Sequence, residues 1–550
     1  MPSADTPDAP QARAAWGPVS FAALGLSAAI AAFGCFREIF ENDTGWHLAL
    51  GRVYATQGLR FENALSWTAP HFHWYPTSWL YDWCTYVIYA RLGVAGIQGF
   101  TCFLMLLVIG SLAVAIRVAN SESALFILPA IIVLELPRLS VRPHVASWVV
   151  ATWALACGRL GATRDWRWRL AALPIIAVGI NMHAGAALGT AILGLFCIEA
   201  AVRERHWLRE GLIATGAVLA LFATPSIGAN VVSLREHLHL QDVIQLMEYR
   251  PPEWKTQPGF FLFLPIVLVL GFLRRRSELS CVAAAAALAY MAFPHGQRFV
   301  YEFFLVAAVI LADATQTVFA RRRELYLAGV GALAFAAVAR DLSHSPMAPR
   351  FDPAAFAVRA TRFIQDEGLG GRFFNSYHDG GYLALMLPEN PVYIDSRPLA
   401  YPDDFLQSEL KSEVHASTFQ QHLRDQGIEW AVTGAYAGWI TGQRLLDSPD
   451  WALVYWDEVS EVFLRRDVPR FAEKIARLEF RHFTRTRSPS DILRPLTDPS
   501  APATLVADYL AELDRFDRYT PDSYMSHLAR CLATHHGTTE GCAPLPDGSP

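Results

Sequence analysis

Residues 17–52 read GPVSFAALGLSAAIAAFGCFREIFENDTGWHLALGR. Residues 17–36 of this stretch carry no charge, and Arg37, Glu38, Glu41, Asp43 and His47 follow at once. A hydrocarbon core of about 30 Å takes roughly 17–25 apolar residues of helix. The segment 17–36 is therefore read as a membrane span with a polar loop directly behind it. Further apolar runs lie at 97–116, 122–137, 144–160, 168–182, 184–202, 210–226, 258–273, 279–294, 299–318 and 325–340, which makes eleven spans. Ten runs after the first exclude a cleaved leader followed by a soluble protein.

Composition agrees with this. Of the 550 residues, 53% are hydrophobic and 18% charged, against about 25% charged in a typical globular protein. The acidic residues are uneven, 21 in residues 1–340 and 30 in residues 341–550. Placing Arg13 in the cytoplasm puts Arg117, Arg159, Arg164, Arg167, Arg169, Arg203, Arg205, Arg209 and the triplets at 274–276 and 321–323 on that side too. That arrangement closes only with eleven spans. The segment Trp79 to Leu92 would spoil it as a twelfth, so its Trp, Tyr and Asp content is read as a helix lying along the outer surface. We expect an α-helical polytopic membrane protein with a C-terminal soluble α/β domain on the outer face. Its parts are a tail at 1–16, a transmembrane domain at 17–340 with a large outer loop at 37–96, an α/β domain at 341–467 and a mainly helical extension at 468–550.

Within the α/β domain, strands are expected at Arg372–Phe374, Val392–Ile394, Trp430–Val432, Ala452–Trp456 and Val462–Leu464. Net charge is -5 with a pI near 6.4, so the chain lacks the basic field that draws nucleic acid. It also lacks a Walker-type loop, a dinucleotide glycine fingerprint and a nucleophile elbow. Cys531 and Cys542 are expected to pair as a disulfide in an oxidising compartment. The rival reading is a metal site with His535 and His536, whose spacing matches no standard ligand set.

Polar residues that remain near outer span ends are costly at membrane depth and are read as functional. A helix starting at Thr44 or Gly45 makes Asp43 its N-cap and puts His47 one turn on, on the same face. Asp43 then either caps or serves as a general base, with His47 orienting it. Arg138, Arg142 and His144 surround a helix start at Pro143, where guanidinium forks and a helix amino end favour phosphate. Arg298 in HGQR has the same character, and the alternative for both is anchoring to lipid headgroups. Asn181 and His183 sit in a tight reversal between two spans, as ligands or as partners for broken-helix backbone. Glu248 is expected to meet substrate or to pair with Arg250.

Taken in order, DTGWHLALGR, LSWTAP, RPH at Arg142, NMHAG, EYRPPEW, QRF, NSYHDGGYL and VYIDSRP resemble the GT-C superfamily of polytopic glycosyltransferases. The resemblance is closer to a group of bacterial GT-C-like membrane proteins. It implies a polyprenyl-phosphate sugar donor, an acidic catalytic residue in the first outer loop at the position of Asp43, and an outer domain that helps recognise the acceptor. It also implies residence in the bacterial inner membrane with the C-terminal domain outside. Two departures stand out. Thr44 follows Asp43 where many members carry a second acid, and Thr77-Ser78 replaces the His-Glu of close relatives. A divalent metal is compatible with this reading but not required by it. The other function class open to the sequence is a non-catalytic transporter of a lipid-linked substrate or an envelope assembly scaffold.

Overall fold

The computed structural model describes residues 16–225, 247–273, 279–312, 346–434, 439–484 and 494–534, save 119, 121, 415 and 499, plus scattered positions between those blocks. The chain divides into two compact units. The first joins Met1–Ile39 to Tyr75–Arg350, and the second joins Phe40–Trp74 to Phe351–Pro550. The segment 40–74, read from sequence as part of the membrane domain's outer loop, thus groups with the C-terminal residues.

The first unit is a helical bundle. Apolar helices run over Pro18–Cys35, Trp79–Arg117, Ile127–Glu135, His144–Thr163, Ala172–Met182, Ala187–Glu204, Trp207–Ala220, Pro258–Leu273 and Leu279–His295, followed by Phe299–Ala312. The helix at Trp79 is broken at Gly93, which takes φ 62° and ψ -155°. Only glycine adopts that backbone cheaply, so Trp79–Leu92 forms a helix separate from the apolar run behind it. Small residues let the helices close on one another. A Cβ at Gly158 would come within 2.3 Å of the Phe196 ring, and one at Gly179 within 2.2 Å of Val150.

Eleven membrane-length helices are not what the described residues show. Three are long and apolar enough to cross a membrane: the Trp79–Arg117 element, through its apolar part behind Gly93, and the helices His144–Thr163 and Ala184–Glu204. Four more apolar helices, Ser20–Cys35, Pro258–Leu273, Leu279–His295 and Phe299–Ala312, are shorter. The runs 122–137 and 168–182 fall short because each opens as a 3-10 turn, at Glu122–Phe126 and Trp166–Ala171, before the α-helix begins. The expected span at 325–340 lies outside the described residues apart from isolated positions. Arg169, read as a cytoplasmic loop charge, is buried, and its guanidinium lies 2.5 Å from Glu210 and 3.2 Å from Glu204.

The second unit is built on a four-stranded sheet of order β1-β2-β4-β3, with β1 Phe373–Asn375, β2 Trp430–Gly434, β3 Trp451–Trp456 and β4 Ser460–Arg465. β1 and β2 run parallel, while β2–β4 and β4–β3 are antiparallel. Stacking of Phe373 on Trp430, centroids 4.4 Å apart, fixes the parallel pair. The expected strand at Val392–Ile394 does not join the sheet. The Asn375 side chain takes its hydrogen bonds instead, accepting from the Tyr393 N–H at 2.8 Å and donating to the Ile394 carbonyl at 2.7 Å. Val392 pairs with the 65–67 segment through Val392 N–H to Leu65 O and Trp67 N–H to Val392 O. The Ala503–Asp517 helix is clipped on through Glu512, whose carboxylate accepts the N–H groups of Arg481, His482 and Phe483 at 2.7–2.9 Å. Cys531 is disulfide-bonded. Its expected partner Cys542, with His535 and His536, lies outside the described residues.

Candidate functional site

Four of the sequence motifs meet inside the second unit. The helix Asp43–Gln57 begins one or two residues earlier than expected, with Asn42 at the N-cap position and no side-chain cap bond. Asp43 therefore does not cap. Its Oδ1 accepts from the Trp46 indole at 3.0 Å and from the Ser396 hydroxyl at 2.8 Å. His47 does lie one turn on, but it is 3% exposed and packs against the Trp46 ring at 3.5 Å between centroids. It can steady Trp46, and through it the carboxylate, and is not open to solvent.

Glycines bring the motifs together. A Cβ on Gly45 would lie 2.5 Å from the Gly381 carbonyl carbon, and one on Gly380 would lie 1.9 Å from the Ile394 carbonyl oxygen. Only bare backbone permits that approach. Arg52, at the other end of DTGWHLALGR, donates to the carbonyls of Ala384 and Leu385, both at 2.8 Å, and so ties the two helices together. Beside Asp43, the Asn42 amide is 3.2 Å from His378 Nδ1. Ser376 donates to Asp379, whose carboxyl is pushed up by burial against the pull of that bond and of His378.

VYIDSRP supplies the support. Arg397 is buried and forks onto Asp395, with Nε at 2.9 Å from Oδ1 and Nη2 at 2.7 Å from Oδ2. Nη2 also donates to Asn63 at 2.7 Å, and the guanidinium lies 4.7 Å over the Trp74 ring. Ser66 and Thr68 of LSWTAP both donate to the Tyr393 carbonyl. Ser396, His378 and the Asp395–Arg397 pair were not assigned from sequence, although the motifs that hold them had been singled out.

The remaining expected residues lie in the first unit. Arg138 and Arg142 converge on Glu248, at 2.7 Å to Oε2 and 3.2 Å to Oε1. Glu248 thus pairs with these two arginines, not with Arg250. Burial by itself raises the Glu248 carboxyl, and the Arg142 and Arg138 cations outweigh it, holding the group well below the usual carboxylate range. His144 Nε2 donates to the Arg138 carbonyl at 3.1 Å, and its ring lies edge-on to Trp148. His183 Nδ1 accepts from the Gly185 N–H at 3.2 Å and is 2.7 Å from the Ser147 hydroxyl. Burial, then Arg142, Arg298 and Arg138, push its pKa down to about 3, so it is neutral and carries its proton on Nε2. Arg298 lies 4.7 Å over the Tyr249 ring.

The Asn181 side chain is bonded within the helical unit. Its amide donates to the Ala177 and Ala223 carbonyls, and its Oδ1 accepts from the Trp79 indole at 2.7 Å. Among the described residues no three His, Cys, Asp or Glu side chains are grouped to hold a metal ion.

No family model matches the sequence, and no curated protein matches it. Solved structures do. An Archaeoglobus fulgidus oligosaccharyltransferase, tethered to an acceptor peptide, superposes with a TM-score of 0.53 at 11% identity, over 82% of this chain and 74% of that one. Cupriavidus metallidurans ArnT in the apo state gives 0.54 at 14% identity, over 80% of this chain and 96% of that one. The same enzyme bound to undecaprenyl phosphate gives 0.53 at 14%, over 82% and 98%. Both are GT-C superfamily membrane glycosyltransferases, and the chain has a GT-C-like fold.

Proposed function

We propose that the protein transfers a sugar from a polyprenyl-phosphate donor to an acceptor hydroxyl at the outer face of the bacterial inner membrane. The observation that carries this reading is the convergence of Arg138 and Arg142 on one carboxylate. Two partly buried guanidiniums that already hold one anion are equipped to hold a phosphate. The fold shared with ArnT, solved with undecaprenyl phosphate, supports a lipid-linked donor.

In the reaction the bond between the anomeric carbon and the donor phosphate oxygen breaks, and its electron pair stays on the phosphate. Arg138 and Arg142 stabilise the charge that develops there, with His144, His183 and Arg298 forming the cationic and hydrogen-bonding surround. The acceptor oxygen bonds to the anomeric carbon as its proton passes to a carboxylate base, the role that the sequence reading proposes for Asp43. Trp46 and Ser396 hold that carboxylate in orientation, and His47 acts as a positioning residue through Trp46.

The test is transfer of radiolabelled sugar from synthetic prenyl-phosphate donors to envelope extract by the purified protein in liposomes. Incorporation that is lost in both Asp43→Asn and Arg142→Ala, with each variant still folded, supports the reading. Incorporation unchanged in both would refute it and favour a scaffold or transporter.

A further inference from the structure

Glu248 sits on the short turn Met247–Tyr249. Its two carboxylate oxygens go to different guanidiniums, Oε2 to Arg138 and Oε1 to Arg142. One carboxylate thereby spans the pair in the way a phosphate head would. The arginine side chains are 22% and 14% exposed and that of Glu248 33%, so the carboxylate is the most exposed member of the cluster.

The turn is held by other contacts. Gly296, at φ 109°, lies so close that a Cβ there would be 2.2 Å from the Glu248 carbonyl oxygen. The Gln297 N–H donates to the Arg250 carbonyl at 2.8 Å. Arg298 covers the Tyr249 ring. Backbone packing on the Gly296–Arg298 segment holds the turn, so its position does not depend on the bonds of the Glu248 carboxylate.

We propose that Glu248 is an internal counter-anion, which the phosphate of a prenyl-phosphate ligand must displace from Arg138 and Arg142. The inference rests on the reading of that arginine pair as the phosphate site. Two like charges side by side and partly desolvated are costly, and the carboxylate offsets this when no ligand is bound. A ligand then binds only the fraction of molecules whose arginines are released, which lowers its apparent affinity. A brace that stayed in place beside the ligand would act the opposite way, because its removal would loosen the arginines and weaken binding.

The test measures equilibrium binding of undecaprenyl phosphate to the full-length protein in detergent, with undecaprenol and inorganic phosphate as comparison ligands. Glu248→Gln keeps the shape of the side chain and removes its charge. It should bind undecaprenyl phosphate about ten- to a hundredfold more tightly than the native protein, the range set by hydrogen bonds to charged groups, with undecaprenol unchanged. Equal or weaker binding of undecaprenyl phosphate by Glu248→Gln overturns the proposal. So does an equal gain for undecaprenol, and inorganic phosphate binding as tightly as the lipid overturns the assignment to a prenyl phosphate. If Glu248→Gln does not fold, Glu248→Asp, whose shorter side chain cannot span both arginines, should show a smaller gain, and a loss there has the same force. Arg142→Ala separates the two claims. Native affinity in Arg142→Ala removes the phosphate site itself, whereas a loss there together with a loss in Glu248→Gln removes only the counter-anion.

Discussion

Arg397→Ala tests whether the support behind Asp43 is built as described. Arg397 and Asp395 are 2% and 0% exposed. The guanidinium makes two bonds to Asp395 and one to Asn63, and lies over Trp74. Truncation leaves the Asp395 carboxylate buried with the Tyr401 hydroxyl and the Arg397 N–H as its remaining donors. Removing one partner of a buried ion pair costs about 3–5 kcal/mol. For a unit of this size that is a fall in Tm of about 6–20 °C, read as the loss of tertiary tryptophan signal in detergent. Backbone amides at 60–74 should lose hydrogen-exchange protection with it, because Asn63 and Trp74 are both held through Arg397. The double variant Asp395→Ala, Arg397→Ala leaves no orphan charge and should cost less than Arg397→Ala alone. A Tm within about 2 °C of native for Arg397→Ala, or a double variant as unstable as the sum of the singles, would refute the reasoning.

Asp43→Asn keeps an acceptor for Trp46 and Ser396 but not a base, so transfer should fall about 10²- to 10⁴-fold with Tm near native; retained turnover removes the assigned role. Gly45→Ala gains about 1 kcal/mol of helix propensity, yet its Cβ would meet the Gly381 backbone at 2.5 Å, and overpacking of that kind costs about 1–3 kcal/mol. A net loss of stability together with a fall in transfer is expected, and a stabilised variant would show that the close packing is slack. His422 has a raised pKa, chiefly through its hydrogen bond to Glu409 and against desolvation. A group raised on folding contributes its full stability below the unfolded value near 6.5 and loses it as pH rises through the folded value. Melting curves should show stability falling over that window, and His422→Gln should flatten the fall; an unchanged slope in the variant refutes it.

The apolar runs were legible because a run of uncharged residues behaves alike wherever it sits. Their lengths as helices were not, since Glu122–Phe126 and Trp166–Ala171 open as 3-10 turns that composition does not mark. Val392–Ile394 reads as a strand for good local reasons. It stays out of the sheet because Asn375, a residue chosen by tertiary context, occupies its hydrogen-bonding groups. The site divides the same way. Asp43 stands out in sequence as a carboxylate behind a span, but Ser396, which binds it, lies 353 residues along the chain, and no periodicity reaches that far. The spacing of Asp43 and His47 correctly puts them on one helical face. Against it sits Gly381, whose Cβ position lies 3.0 Å from the Asn42 carbonyl oxygen and 3.1 Å from the Trp46 nitrogen, while His47 is 3% exposed and packs on the Trp46 ring. Helical spacing therefore identifies which side chains share a direction, while tertiary packing decides which of them still reaches solvent, and here that is Asp43 and not His47.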